Sequence, residues 1–189
     1  MARAPRAAQR GRTRKASRGA GSPSVSPTKA KRLKRIGIVD TSFSRYDMAS
    51  ATIDELRKQG GGFTVERYTV PGIKDLAAGA RILFDRGCDL VLALGMVGRQ
   101  PVDKDCALAA DFGLQAVQAA VGRHILGVMV HEEEAADEIE LAGLFDRRTR
   151  EHAVNAYDLL FRPEAIRARA GTGQREGFED AGPLKVTRS

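Results

Sequence analysis

The chain has 189 residues, enough for one domain with a sizeable core, and a formal net charge of +7. The first 35 residues hold 12 of the 31 Lys and Arg and no acid, which leaves 19 basic against 24 acidic residues in the remainder. That acidic remainder removes the electrostatic support for a nucleic-acid-binding fold, and no apolar run reaches membrane-spanning length.

Residues 1–34 are expected to be a disordered basic tail, because Arg, Ala, Ser, Gly and Pro without apolar periodicity cannot bury a core. An overcalled start codon, an arm that touches RNA or another polyanion, and a transit peptide are the competing readings. Residues 35–161 read as an α/β domain, and 162–189 as a mostly irregular Gly-rich extension. Cys88 and Cys106 show neither metal nor disulfide spacing, which suits a reduced cytoplasm.

"RIGIVD" is a β-branched run ending at Asp40, followed by the polar loop "TSFSRY". From Asp47 to Gln59, Met48, Ala51, Thr52, Ile53 and Leu56 form one helical stripe, which Gly60-Gly61-Gly62 ends. "FTVERYTV" alternates as a second strand. A Pro71-Gly72 corner then leads into "IKDLAAGARILFDRG", a helix with Ile73, Leu76, Ala77, Ala80, Leu83 and Phe84 inward and Gly87 closing it. "CDLVLALG" is a continuous apolar run, as expected of a parallel strand buried on both faces. "DCALAADFGLQAVQAAVG" is the third helix and "HILGVMVH" a fourth buried strand. "EEAADEIELAGLFD" and "RTREHAVNAYDLLF" are two more helical stretches or one bent helix.

Strands alternating with helices predict a three-layer α/β/α sandwich around a four-stranded parallel sheet, with right-handed crossovers. Ligands of such sheets bind outside the carboxyl ends of the strands. That rule selects four loops: Thr41-Ser42-Phe43, Pro71 to Asp75, Gly95 to Arg99, and His131 to Glu134. Asp75 suits a helix dipole, yet it also stands on the binding edge. Phe43 is either a loop aromatic packed on the first helix or a platform for a flat ring. His131 ends an apolar strand at that edge and is a natural proton-transfer group. His124 lies at the opposite edge and His152 in mid-helix. No GxGxxG follows the first strand and no GxxxxGK[ST] occurs, which disfavours dinucleotide and P-loop binding.

Taken together, "IGIVDTSFSRYDMA", "TVPGIKDL", "GCDLVLALGMVGR", "DKDCALAADFGL", "VHEEEA", "EHAVNAYDLLF" and "GFEDAGP" resemble the lumazine synthase superfamily, and most closely the archaeal-type riboflavin synthases within it. The resemblance covers about residues 35–183. It implies a flavodoxin-like fold and a homopentamer whose sites lie between subunits. Phe43 matches the aromatic that stacks on the ring system, and Asp75 the carboxylate that follows the Val-Pro-Gly motif (Val70, Pro71, Gly72, then Ile73) and holds ribityl hydroxyls. Leu94, Gly95, Met96 and Val97 match the segment whose backbone reads the pyrimidine edge.

Departures matter as much. Lumazine synthases carry Arg-Gly-x-Thr-x-His after the third strand, a phosphate cradle with a catalytic His. Here Arg99, Gln100, Pro101, Val102, Asp103 and Lys104 stand there. The resemblance therefore implies riboflavin synthase, which exchanges a four-carbon unit between two molecules of 6,7-dimethyl-8-ribityllumazine. Lumazine synthase itself and a non-catalytic flavin- or lumazine-binding protein are the alternatives. By position, His131 is the expected proton carrier with Glu132 orienting it, while Lys104 and Arg99 are candidates to polarise ring carbonyls. No tightly bound cofactor is expected, and a divalent cation such as Mg2+ is the one admitted.

Overall fold

The central strand of the sheet is β1 (Lys34–Thr41), whose last six residues are buried. In the computed structural model, which describes residues 32–175 and 179–185, it pairs with β2 (Phe63–Val70) on one side and β3 (Leu90–Val97) on the other. β4 (Ile125–His131) completes an all-parallel sheet of order β2-β1-β3-β4. The tail residues 1–31, and Gly177 and Phe178 of the "GFEDAGP" motif, lie outside the described residues.

Two helical layers cover the sheet. On one face α1 (Met48–Gln59) and α4 (Glu138–Phe161) bury Ile36, Ile38, Leu92, Leu94 and Met96 against Leu56, Phe145 and Tyr157. On the other, α2 (Leu76–Asp85) and α3 (Pro101–Val121) cover Val39, Val70, Val91 and Ala93. The period of two along each strand sorts these residues to their faces. Gly79 lets α2 approach β1: a Cβ there would meet Val39 Cγ2 at 2.5 Å.

Several local features differ from the sequence reading. β4 is not buried throughout; it forms the rim of the sheet, paired on one side only, with Gly127 exposed. Ile73–Asp75 make a 3₁₀ turn ahead of α2 rather than its first turn. α3 starts four residues early, at Pro101, where a missing N–H costs nothing, and Gln100 and Asp103 form a capping box. The two stretches after β4 are one helix, α4, capped by Asp137, whose carboxylate accepts from Ile139 and Glu140 N–H. Glu132–Glu134 form a separate 3₁₀ turn before it. Within the extension, Pro163–Arg169 form a short helix, α5.

Candidate active site

The strand order reverses between β1 and β3, and a crevice opens there at the carboxyl ends. A cavity of about 300 Å³ occupies it. Thr41 ends β1 and Phe43 follows it, the turn Pro71–Asp75 follows β2, Met96 and Gly98 come from the end of β3 and just after it, and Asp103 and Cys106 from the start of α3. The volume lies at the small end of ligand sites, the size of a single heterocycle with its side chain.

Six of the anticipated residues line this cavity: Phe43, Pro71, Gly72, Ile73, Asp75 and Met96. Phe43 is 68% exposed and borders the cavity, so its ring is available as a platform. Asp75 occupies the position just before α2, but its carboxylate makes no capping hydrogen bond. The carboxylate is left for the cavity.

The other anticipated residues lie elsewhere. Leu94 and Val97 are core side chains. Gly95 leaves room for its neighbours: a Cβ there would meet Met129 Sδ at 2.6 Å and Ile73 Cγ2 at 3.0 Å, so a larger residue would push on the Ile73 turn. Arg99, Lys104, His131 and Glu132 do not border the cavity. His131 lies one strand further from the crevice, on the rim strand in register with Val97, and Lys104 lies on α3 next to the cavity-lining Asp103.

Around His131 the three glutamates of the turn are each tied to a different element. Glu132 takes Arg45 Nη1 at 3.1 Å, Glu133 takes Lys104 Nζ at 2.7 Å, and Glu134 takes Arg148 Nη2 at 2.5 Å. Arg99 donates to the Glu132 carbonyl at 3.2 Å. Glu132 therefore faces Arg45 rather than the imidazole. It is Glu134 that meets residue 131, through the backbone N–H at 2.9 Å. Lys104 and Arg99 are likewise engaged with the turn. Among the described residues no group of three or more His, Cys, Asp or Glu could hold a metal ion.

Asp103 is a residue that the sequence reading passed over. Its Oδ2 accepts the Gln100 N–H at 3.0 Å and sits where a Cβ on Gly98 would collide with it. The signal was present as the capping-box spacing from Gln100 to Asp103. At the mouth of α3, one N–H is thus already satisfied by the chain's own carboxylate, and Pro101 supplies none.

Residues 33–164 match the family model described as 6,7-dimethyl-8-ribityllumazine synthase. The chain belongs to this family. Within its reach, the chain is 50% identical over 151 residues to the riboflavin synthase of Methanothermobacter thermautotrophicus, covering 79% of this chain and 99% of that one. It is 46% identical over 151 residues to that of Archaeoglobus fulgidus, covering 79% and 98%. Against that of Aeropyrum pernix the identity is 44% over 153 residues, covering 80% and 99%. The resemblance carried by the loop motifs is thereby established, and the flavodoxin-like architecture expected of the family is the one observed.

The turn after β4 also holds a charge pair that links stability to pH. The bidentate hydrogen bonds from Arg148, then the backbone N–H of His131, hold the Glu134 carboxyl below its ordinary value of 4.5 against the opposing effect of burial. A depressed folded pKa stabilises above the unfolded value, and that contribution is lost as pH falls through the folded one. The Glu134→Gln protein is therefore expected to melt below the parent at pH 7, with the gap shrinking toward pH 3. A gap that stays constant over that range would show that the pair contributes nothing through its charge.

Proposed function

We propose that this chain is a riboflavin synthase. Two molecules of 6,7-dimethyl-8-ribityllumazine exchange a four-carbon unit, giving riboflavin and 5-amino-6-ribitylaminouracil. Atoms and electrons balance between the two lumazines, so the reaction itself calls for no oxidant or redox cofactor. The observation that carries this reading is the mouth of α3, where the related lumazine synthases would cradle a phosphate. Here Asp103 caps Gln100 and Pro101 lacks an N–H, so an anionic substrate would meet a carboxylate in place of free donors. The near-complete overlap with proteins named riboflavin synthase supports the same choice.

In this reading Phe43 stacks on one lumazine ring and Asp75 accepts from its ribityl hydroxyls. Holding two lumazines face to face supplies much of the rate. His131 carries the proton taken from the acidic C7 methyl of the donor lumazine. Because His131 does not line its own subunit's cavity, we assign it to the cavity of a neighbouring copy in a homopentamer. Exposed apolar side chains support such a neighbour: Phe43 at the cavity, and Val102, Leu108 and Phe112 along α3, are each more than half exposed. The free thiols Cys88 and Cys106 fit a reducing, cytoplasmic setting.

The deciding test offers purified protein 6,7-dimethyl-8-ribityllumazine as sole substrate. Riboflavin fluorescence should appear with an equal molar yield of the ribitylaminouracil. Tight binding without turnover would make the chain a lumazine-binding protein instead. Absence of both would overturn the reading.

A further inference from the structure

Thr41 is the last residue of β1 and is 5% exposed. It pairs in register with Val70, and the Ser42 N–H bonds to the Val70 carbonyl at 2.9 Å, so the strand end is held firmly below the Pro71–Asp75 turn. By the period of two it shares the face of Val39, within the apolar cluster of Val70 and Leu76. Yet its Oγ1 is buried with no hydrogen-bond partner among the described residues. Two other side-chain oxygens share that condition, on Thr149 and Glu151, but of the three only Thr41 borders the cavity.

A buried hydroxyl without a partner is costly, and valine would fill the same volume without the oxygen. Because Oγ1 is itself shut from solvent, a rotation about the Cα–Cβ bond is what brings it to a ligand in the cavity, and such a ligand then accounts for the hydroxyl. The kind of ligand group follows from the neighbours. Asp75, on the same cavity wall as Pro71 and Gly72, only accepts when ionised, whereas a threonine hydroxyl both donates and accepts. A carboxylate beside an amphoteric hydroxyl matches successive hydroxyls of a polyol, each of which also gives and takes. A ring carbonyl only accepts and would use half of this pairing.

We propose that Thr41 is a substrate-positioning residue whose hydroxyl binds the ribityl chain of the lumazine, next to the hydroxyls held by Asp75. The proposal rests on the riboflavin synthase reading and adds to it a contact inside the strand itself.

The test measures binding apart from turnover. Fluorescence titration uses 6,7-dimethyl-8-ribityllumazine and the same ring carrying a methyl group at N8. The Thr41→Val protein should bind the ribityl compound about 5–20-fold more weakly, the scale of one hydrogen bond to a buried group. It should bind the methyl compound as the parent does, and its own melting temperature should be equal to or above the parent's. Thr41→Ser should restore the affinity. Equal affinity of Thr41→Val and parent for the ribityl compound would overturn the proposal. So would an equal loss for both ligands, which would place the hydroxyl on the ring, or a fall in melting temperature together with both affinities, which would make it a packing residue. If the parent binds neither compound, the functional reading itself fails and this proposal falls with it. That failure shows in the parent alone, before any variant is compared.

Discussion

The His131→Ala protein is expected to bind lumazine almost as the parent does and to turn it over about 10²–10⁴-fold more slowly, the scale of losing a general acid–base group. The lower end is favoured because the C7 methyl of the lumazine is itself acidic. Asp75→Ala should show the opposite pattern, with an apparent KM raised about 10–100-fold as a charged hydrogen bond to a buried hydroxyl is lost. The geometry adds a sharper expectation. Phe43 and Asp75 border one cavity, while His131 lies across β3 on the rim strand. If the two residues meet only between copies, the two impaired proteins, assayed at substrate well below the raised KM, should rescue one another. Refolded together in equal amounts, they should recover about a quarter of the parental sites, since a random cyclic ring pairs an intact Asp75 with an intact neighbouring His131 that often. No recovery from verified mixed assemblies would mean that both groups serve the same subunit or that His131 has no part in the chemistry. His131→Ala retaining more than about half the parental kcat would leave stacking and proximity to carry the reaction.

The second large effect concerns stability. Asp158 is 3% exposed on the inner side of α4, where it accepts Arg162 Nε at 2.7 Å and an Arg169 Nη2 bond at 3.0 Å. Arg162 also lies over the Tyr157 ring at 4.8 Å and donates to Gln59 at the end of α1. One carboxylate therefore fastens α5 to α4, next to the stack of Tyr157 on Phe161. Breaking a buried pair by removing one partner costs about 3–5 kcal/mol when the remaining charge is trapped. Here both guanidiniums reach water, with side-chain exposures of 44% and 31%, so they can rehydrate. Asp158→Ala is therefore expected to lose about 2–3 kcal/mol, a fall in melting temperature of roughly 4–12 °C for a chain of this size. Urea unfolding gives the value directly. A loss within about 0.5 kcal/mol would reduce the cluster to ordinary surface pairing.

The elements and their order could be read along the chain, because the signals that set them are local. Alternation from Phe63 to Val70 marks β2 to the residue, and the unbroken apolar run marks β3. The loop motifs carried the family as well, since a stacking aromatic and a Val-Pro-Gly carboxylate are short contiguous patterns. What depended on neighbours distant in sequence could not be read that way. Four loops were expected at one edge, but only the strand order decides that three of them enclose a cavity and that the fourth lies beyond β3. The glutamates after His131 looked like helix-start acids; their partners are Arg45 of the loop after β1, Lys104 of α3 and Arg148 of α4. Asp75 had two readings in sequence, and the 3₁₀ turn favours the second by keeping its carboxylate out of any cap. Thr41 reads as the first residue of a polar loop, whereas in the fold it ends β1 with its hydroxyl buried and without a partner among the described residues. The physical reason is common to all four cases. Periodicity and turn chemistry act between residues a few positions apart, whereas burial and hydrogen-bond satisfaction are set by whichever elements the fold brings together.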